Sequence, residues 1–253
     1  MITRIVTVGA LCLVFGGAAM QAGTVVLGEP PVTATGNCDP FGCPAFFGLG
    51  TFQEVYLSTA FPGNMTIDGL AFLQTQIAGN GGSPAGGTYT LSFSYTPDAP
   101  GDLDLTDPAN NIGAGSQEFF SGALPSLTVS GTGKILAFSG TPFAYDPEDG
   151  NLLLTVTVTD PSNKVPYLYL DQAECGPKTF CPAGSTVVTS DAYFGTASGG
   201  NDVGGLITAF DYTSTTGVAT PEPGSWLLVL TAAGVLGLVA SLRAAKAARS
   251  TRS

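Results

Sequence analysis

Chemistry in this chain has to come from carboxylates, thiols and hydroxyls, because its 253 residues include no histidine. Without an imidazole there is no Ser-His-Asp triad, no histidine-activated cysteine and no histidine ligand for a hydrolytic zinc. Two carboxylates about 5 to 10 Å apart can still work as acid and base on a glycosidic bond. The acids gather in two loops. "PDAPGDLDLTDPANN" carries Asp98, Asp102, Asp104 and Asp107 with Asn110, and "YDPEDGN" carries Asp146, Glu148 and Asp149. Hard oxygens in this density suit calcium, with Asp102, Asp104 and Asp107 as candidate ligands, although the first loop lacks the glycine and closing glutamate of an EF-hand. Asp, Asn, Pro and Gly are equally what solvated turns require, and that is the competing reading of both loops.

The thiols come as two near pairs, "CDPFGC" (Cys38, Cys43) and "CGPKTFC" (Cys175, Cys181), while Cys12 lies in an N-terminal apolar stretch. In an oxidising compartment two disulfides are expected, and the turn formers Asp39-Pro40 and Gly176-Pro177 favour the local pairing of 38 with 43 and 175 with 181. Cross-pairing would instead staple distant parts of the chain. A four-thiolate zinc site is the sharper alternative, against which stand the spacings, longer than the usual knuckle, and the compartment.

Strands must position these groups. In "GGTYTLSFSYT" the large residues Tyr89, Leu91, Phe93 and Tyr95 alternate with Thr90, Ser92 and Ser94, and in "NLLLTVTVTD" Leu152, Leu154, Val156 and Val158 alternate with Leu153, Thr155, Thr157 and Thr159. Each reads as a strand with one apolar and one hydroxyl face. "FPGNMTIDGLAFLQTQI", "KILAFSGTPFAY", "VPYLYLDQ", "TVVTSDAYF" and "DVGGLITAFDY" extend the set to eight to eleven candidates between Gly, Pro, Asn and Asp turns. No helical period is sustained before residue 224, and no internal repeat suggests a propeller or solenoid. The expected class is all-β, an antiparallel β-sandwich or jelly roll. The Thr155, Thr157, Thr159 row repeats at about 6.7 Å, a spacing that orders water, but ice binding would need many parallel rows.

Both ends read as addresses. Arg4, the apolar stretch Ile5 to Phe15 and the small residues before Ala22 lay out a signal peptide with cleavage after Ala19 or Ala22. At the other end, Pro221-Glu222-Pro223 precedes a run from Trp226 to Leu242 without charge or proline, long enough to cross about 25 Å as a helix. Trp226 suits the headgroup layer, and Arg243, Lys246, Arg249 and Arg252 suit the cytoplasmic side. The domain boundaries that follow are 1–22 for the signal peptide, 23–217 for the β domain and 218–253 for the tail, with a transmembrane helix at about 225–242 and a basic end at 243–253. Arg4 and the four tail cations are most of the eight Lys+Arg, leaving Lys134, Lys164 and Lys178 against nearly all of the 19 Asp+Glu. Such a body repels nucleic acid.

This order of signal peptide, β domain, Pro-Glu-Pro, apolar span and basic end resembles the PEP-CTERM sorting tail of Gram-negative surface proteins, a tail also known as an ice-binding-protein C-terminal domain. The resemblance implies that an exosortase, a membrane protease or transpeptidase, recognises Pro221, Glu222 and Pro223 and removes the span. It further implies a single-pass inner-membrane precursor with a cytoplasmic C-terminus, delivered to the cell surface or the extracellular polysaccharide matrix. "LAFLQTQIAGNGGSPAGGTYTLSFSYT", "FFSGALPSL" and "PFAYDPEDGNLLLTVTV" are similar to the β-rich domain that often precedes such tails. With the missing catalytic groups, the expectation is a nonenzymatic structural or adhesive protein without an obligatory cofactor. The alternative is a carbohydrate-binding or carbohydrate-active β-sandwich module that could use calcium.

Overall fold

Alternation becomes strand wherever one pleat face can be buried, and the chain supplies such stretches from end to end. The computed structural model describes residues 21–28, 36–45, 48–75, 82–130, 133–173, 188–195, 200–202 and 204–214. In chain order its strands are β1 (Gln21–Leu27), β2 (Gly36–Asn37), β3 (Leu49–Tyr56), β4 (Met65–Gln74), β5 (Gly86–Thr96), β6 (Gln117–Gly122), β7 (Thr128–Ser130), β8 (Gly133–Tyr145), β9 (Asn151–Ser162), β10 (Leu170–Asp171), β11 (Thr189–Gly195), β12 (Gly200–Asp202) and β13 (Thr208–Ser214). Two 3-10 turns, Ser58–Ala60 and Pro108–Asn111, are the helical elements among the described residues, where no helix is long and apolar enough to cross a membrane. Residues 1–20 of the expected signal peptide and the whole of the expected sorting tail, including Pro221, Glu222, Pro223, Trp226, Arg243, Lys246, Arg249 and Arg252, lie outside the described residues, whereas Gln21 and Ala22 already belong to β1.

The protein is all-β and antiparallel. One sheet has five strands in the order β1-β13-β4-β8-β7, a second has six in the order β12-β11-β3-β9-β5-β6, and β10 with β2 form a small third. The pairing is nested. β1 pairs with β13, β3 with β9, β4 with β8 and β5 with β6, so the first half of the domain runs antiparallel to the second like one long hairpin closed at β5–β6. Successive pairs fall alternately into the two sheets. β1 and β3 are strands that alternation in the sequence did not single out, and most of "VPYLYLDQ" forms no strand beyond Leu170–Asp171.

The inner faces meet in an aromatic core. Phe93 of β5 stands 5.5 Å from Phe143 of β8 and 6.2 Å from Phe210 of β13, and Tyr56 of β3 meets Phe210 edge-on at 4.9 Å. Edge-on and tilted contacts at these distances suit the ring quadrupoles, and each ring buries a large apolar area. In β4 the inward series Met65, Ile67 resumes at Leu70, Phe72 because a bulge at Asp68 shifts the register with β13 by one. From outside the sheets, the loop closed by the Cys38–Cys43 disulfide, with Cα atoms 5.3 Å apart, inserts the fully buried Phe41 between Phe72, Tyr89 and Phe138. A Cβ on the next residue, Gly42, would overlap the carbonyl of Leu168, so glycine is required for this close approach. Cys175 and Cys181 lie outside the described residues.

Candidate functional site

The outer face of the six-stranded sheet changes character along its strands. At one end the row Ser190, Val55, Leu153 and Ser94 runs across β11, β3, β9 and β5. Here the β5–β6 loop folds over the sheet and packs Leu103 on Val55, Leu153 and Ala192. The next row is Ala192, Gln53, Thr155, Ser92 and Glu118. Its Gln53 is fully buried, donating to Pro108 O (2.9 Å) and Thr155 Oγ1 (3.2 Å) and accepting from Asn111 Nδ2 (2.8 Å). Beyond this clamp the face opens. The following row is Phe194, Thr51, Thr157, Thr90 and Ser121, across five strands, and after it Thr159 pairs with Thr88. Thr88, Thr157, Thr159 and Ser121 are exposed, and Thr51, Thr90 and Phe194 are half-buried. Thr90 Oγ1 and Ser121 Oγ lie 3.3 Å apart. The threonine row on β9, visible in the sequence, therefore has a hydroxyl row on β5 at one side and Thr51 of β3 at the other, which only strand register could reveal.

The loop that covers the other half contains the proposed calcium ligands. Asp104 turns its carboxylate back on its own loop, accepting from Thr106 N (2.7 Å), Thr106 Oγ1 (2.5 Å) and Asn110 Nδ2 (2.7 Å). The Thr106 and Asn110 side chains, in that order, hold this exposed carboxyl down at about 2. Asp107 caps the Pro108–Asn111 turn, its Oδ1 accepting from Ala109 N at 2.9 Å. Asp102, Asp104 and Asp107 are not among the acid and thiol groups that converge: within the described residues that grouping is Cys38, Asp39 and Cys43, whose thiols are joined in the disulfide. Asp104 and Asp107 thus serve turns with their carboxylates, and Asp102 donates its backbone N–H to Ala99 O at 2.9 Å. In the second loop Asp146 likewise accepts from Glu148 N (2.9 Å) and Asn64 Nδ2 (2.8 Å).

The acid that sequence reasoning missed is inside. Glu54 follows Phe52 and precedes Tyr56 on the inward face of β3, fully buried, with Asp191 directly opposite on β11. Its Oε1 accepts from Thr189 Oγ1 at 2.8 Å, while its Oε2 has no hydrogen-bond partner. A Cβ at Gly205 would overlap Oε1 and the threonine hydroxyl, so the chain before β13 closes directly over the carboxyl. Desolvation dominates and raises the acid from its ordinary 4.5 to about 8, against a smaller opposing effect of the Thr189 and Tyr56 hydroxyls. Glu54 is therefore mainly protonated at neutral pH. Beside it Tyr56 OH lies 2.9 Å from Thr208 Oγ1, and the Thr208 hydroxyl is 2.9 Å from Leu206 O. The period of "TFQEVY", which puts a glutamate between two core aromatics, was the available signal.

Glu54 and Asp191 are register partners, but both are fully buried, and three surface cavities lined by described residues lie elsewhere. One of about 200 Å³ lies beside Pro62, Asn64 and Tyr212, and one of about 290 Å³ beside Thr24, Asp68, Asp211 and Tyr212. Both fall below the ~300 to 1,000 Å³ typical of small-molecule sites. Asp211 accepts from Thr24 Oγ1 at 2.5 Å and Asp68 from Thr213 Oγ1 at 3.3 Å. No family model, no curated protein and no solved structure matches this chain.

Proposed function

We propose that the chain is an exported, nonenzymatic β-sandwich protein, sorted by an exosortase-type system and displayed at the cell surface or in the extracellular matrix in a structural or adhesive role. One observation carries the reading: Pro221-Glu222-Pro223, a charge-free run from Trp226 to Leu242 and the basic group Arg243 to Arg252 follow one another in that order. Two features of the domain support it. The nested pairing of β1 with β13, β3 with β9, β4 with β8 and β5 with β6 is the winding of a jelly roll, a frame that presents broad sheet faces. Gln21 and Ser214 are register partners, so the two ends of the described domain lie side by side in one sheet.

Replacing Pro221, Glu222 and Pro223 with alanine is the test, made in cells that carry an exosortase. The variant should accumulate as membrane-bound precursor while the parent chain loses its tail and leaves the membrane. Equal release of the two would refute sorting through this motif.

A further inference from the structure

We propose that the open half of the six-stranded sheet's outer face binds a neutral polysaccharide, with Thr51, Thr88, Thr90, Thr157, Thr159 and Ser121 as its hydroxyl contacts and Phe194 at its edge. The inference deepens the display reading above and rests on it for its biological setting. Its physical argument is independent of the tail.

Three observations identify the partner. The face is chemically uniform, since each threonine or serine offers one donor and two acceptor lone pairs beside an apolar stem, which matches the alternating O–H and C–H surface of a sugar. It is uncharged on an otherwise acidic body: across its two open rows no position is Asp, Glu, Lys or Arg, and Glu118 and Asp160 stand only at its rim. An anionic glycan would meet that rim and the field of the body, whereas a neutral one would not. The row Phe194, Thr51, Thr157, Thr90, Ser121 crosses five strands, about 19 Å at ~4.8 Å per strand, the length of a short linear oligosaccharide.

Ordered water is the other occupant that such an array suggests. Adjacent strands rotate by about 20° relative to one another, so rows on β3, β9 and β5 do not share a rigid plane. A flat crystal face meets such a surface along one strand only. A polymer chain, turning about its linkages, follows the twist.

The test is affinity electrophoresis of the detergent-solubilised full chain in native gels cast with dextran, amylose or β-1,3-glucan, and with alginate as the anionic control. At least one neutral glycan should retard the protein and alginate should not. T90V/T157V/T159V keeps the β-branched shape, so its melting temperature should hold while its glycan affinity falls tenfold or more. Thr157→Lys, which places one ammonium at the centre of the face, provides the same readout should the triple variant fail to fold. No retardation in any neutral gel, or equal retardation of the parent and the folded variant, overturns the proposal. Depression of the freezing point by the parent, lost in the variant and unaccompanied by glycan binding, assigns the face to ice instead. Because the gels use purified protein, a negative result here leaves the sorting reading standing, and failed tail processing in cells leaves glycan binding intact.

Discussion

Glu54 is the residue whose environment departs furthest from what its chemistry prefers. A carboxyl with few donors, buried between Phe52 and Tyr56, is destabilising when ionised, and the fold resolves this by keeping it protonated. The consequence is a pH dependence with a definite sign. Between 4.5, where the unfolded chain releases this proton, and about 8, where the folded chain does, the native state binds more protons, so stability falls as pH rises through that window and levels off above it. The slope contributed by the one group is on the order of 1 kcal/mol per pH unit. Glu54→Gln removes the titration, and its melting temperature should exceed that of the parent increasingly from pH 6 to pH 8 and by a constant margin above it. Parallel melting profiles for the two proteins over that range would show that the carboxyl is not held neutral. Gly205 belongs to the same account, since an alanine there would collide with the carboxyl it covers.

Among the elements, the loop "CDPFGC" illustrates which of two effects wins. Its disulfide closes a ring with a sequence separation of 5, which restricts the unfolded chain little, and replacing both cysteines with serine should cost about 2 kcal/mol, near the lower end for such bridges. The ring that the loop delivers matters more. Phe41→Ala would empty a site between three aromatics and should cost about 3 to 5 kcal/mol. Urea denaturation of both variants checks the order, and a cysteine variant less stable than Phe41→Ala would reverse it. Strand β1 makes a second prediction at this scale. Gln21 and Ala22 pair with Ser214 and Thr213, so signal cleavage after Ala22 would remove two ladder positions from an edge strand, whereas cleavage after Ala19 keeps the strand whole. Intact-mass measurement of the exported protein should find Met20 as its first residue, and a mass beginning at Gly23 would contradict this.

For the whole molecule, the sign of charge separates body from tail. Nearly all of the 19 acids precede the tail, while four of the eight Lys+Arg fall within its last eleven residues. On the proposed topology, a reporter fused after Ser253 should be active in the cytoplasm, and neutralising Arg243, Lys246, Arg249 and Arg252 together should degrade the orientation. Periplasmic activity of the parent fusion would invert the topology. The body retains Lys134, Lys164 and Lys178 as its cations, so its long-range field repels polyanions.

The all-β class, the inward and outward faces of β5 and β9, and the local pairing of Cys38 with Cys43 were legible in the chain because each is a short-range property. Side chains alternate with period two, and two cysteines flanking a turn are already close. The grouping of strands into two sheets was not legible, because nested pairs join residues as distant as Gln21 and Ser214, and nothing local records which strand lies beside which. For the same reason, Thr155, Thr157 and Thr159 could be seen as a row but not as part of a face. Thr51 and Thr90 come to flank Thr157 only through register, and a shift of one residue in either neighbour would turn its hydroxyls inward. Asp102, Asp104 and Asp107 show the converse. Their composition fitted both a metal site and a turn, and only the tertiary structure shows the carboxylates of Asp104 and Asp107 engaged by Thr106, Asn110 and Ala109 of their own loop. The burial of Glu54 was likewise decided in three dimensions, where Gly205 closes over a position that strand alternation alone leaves half open.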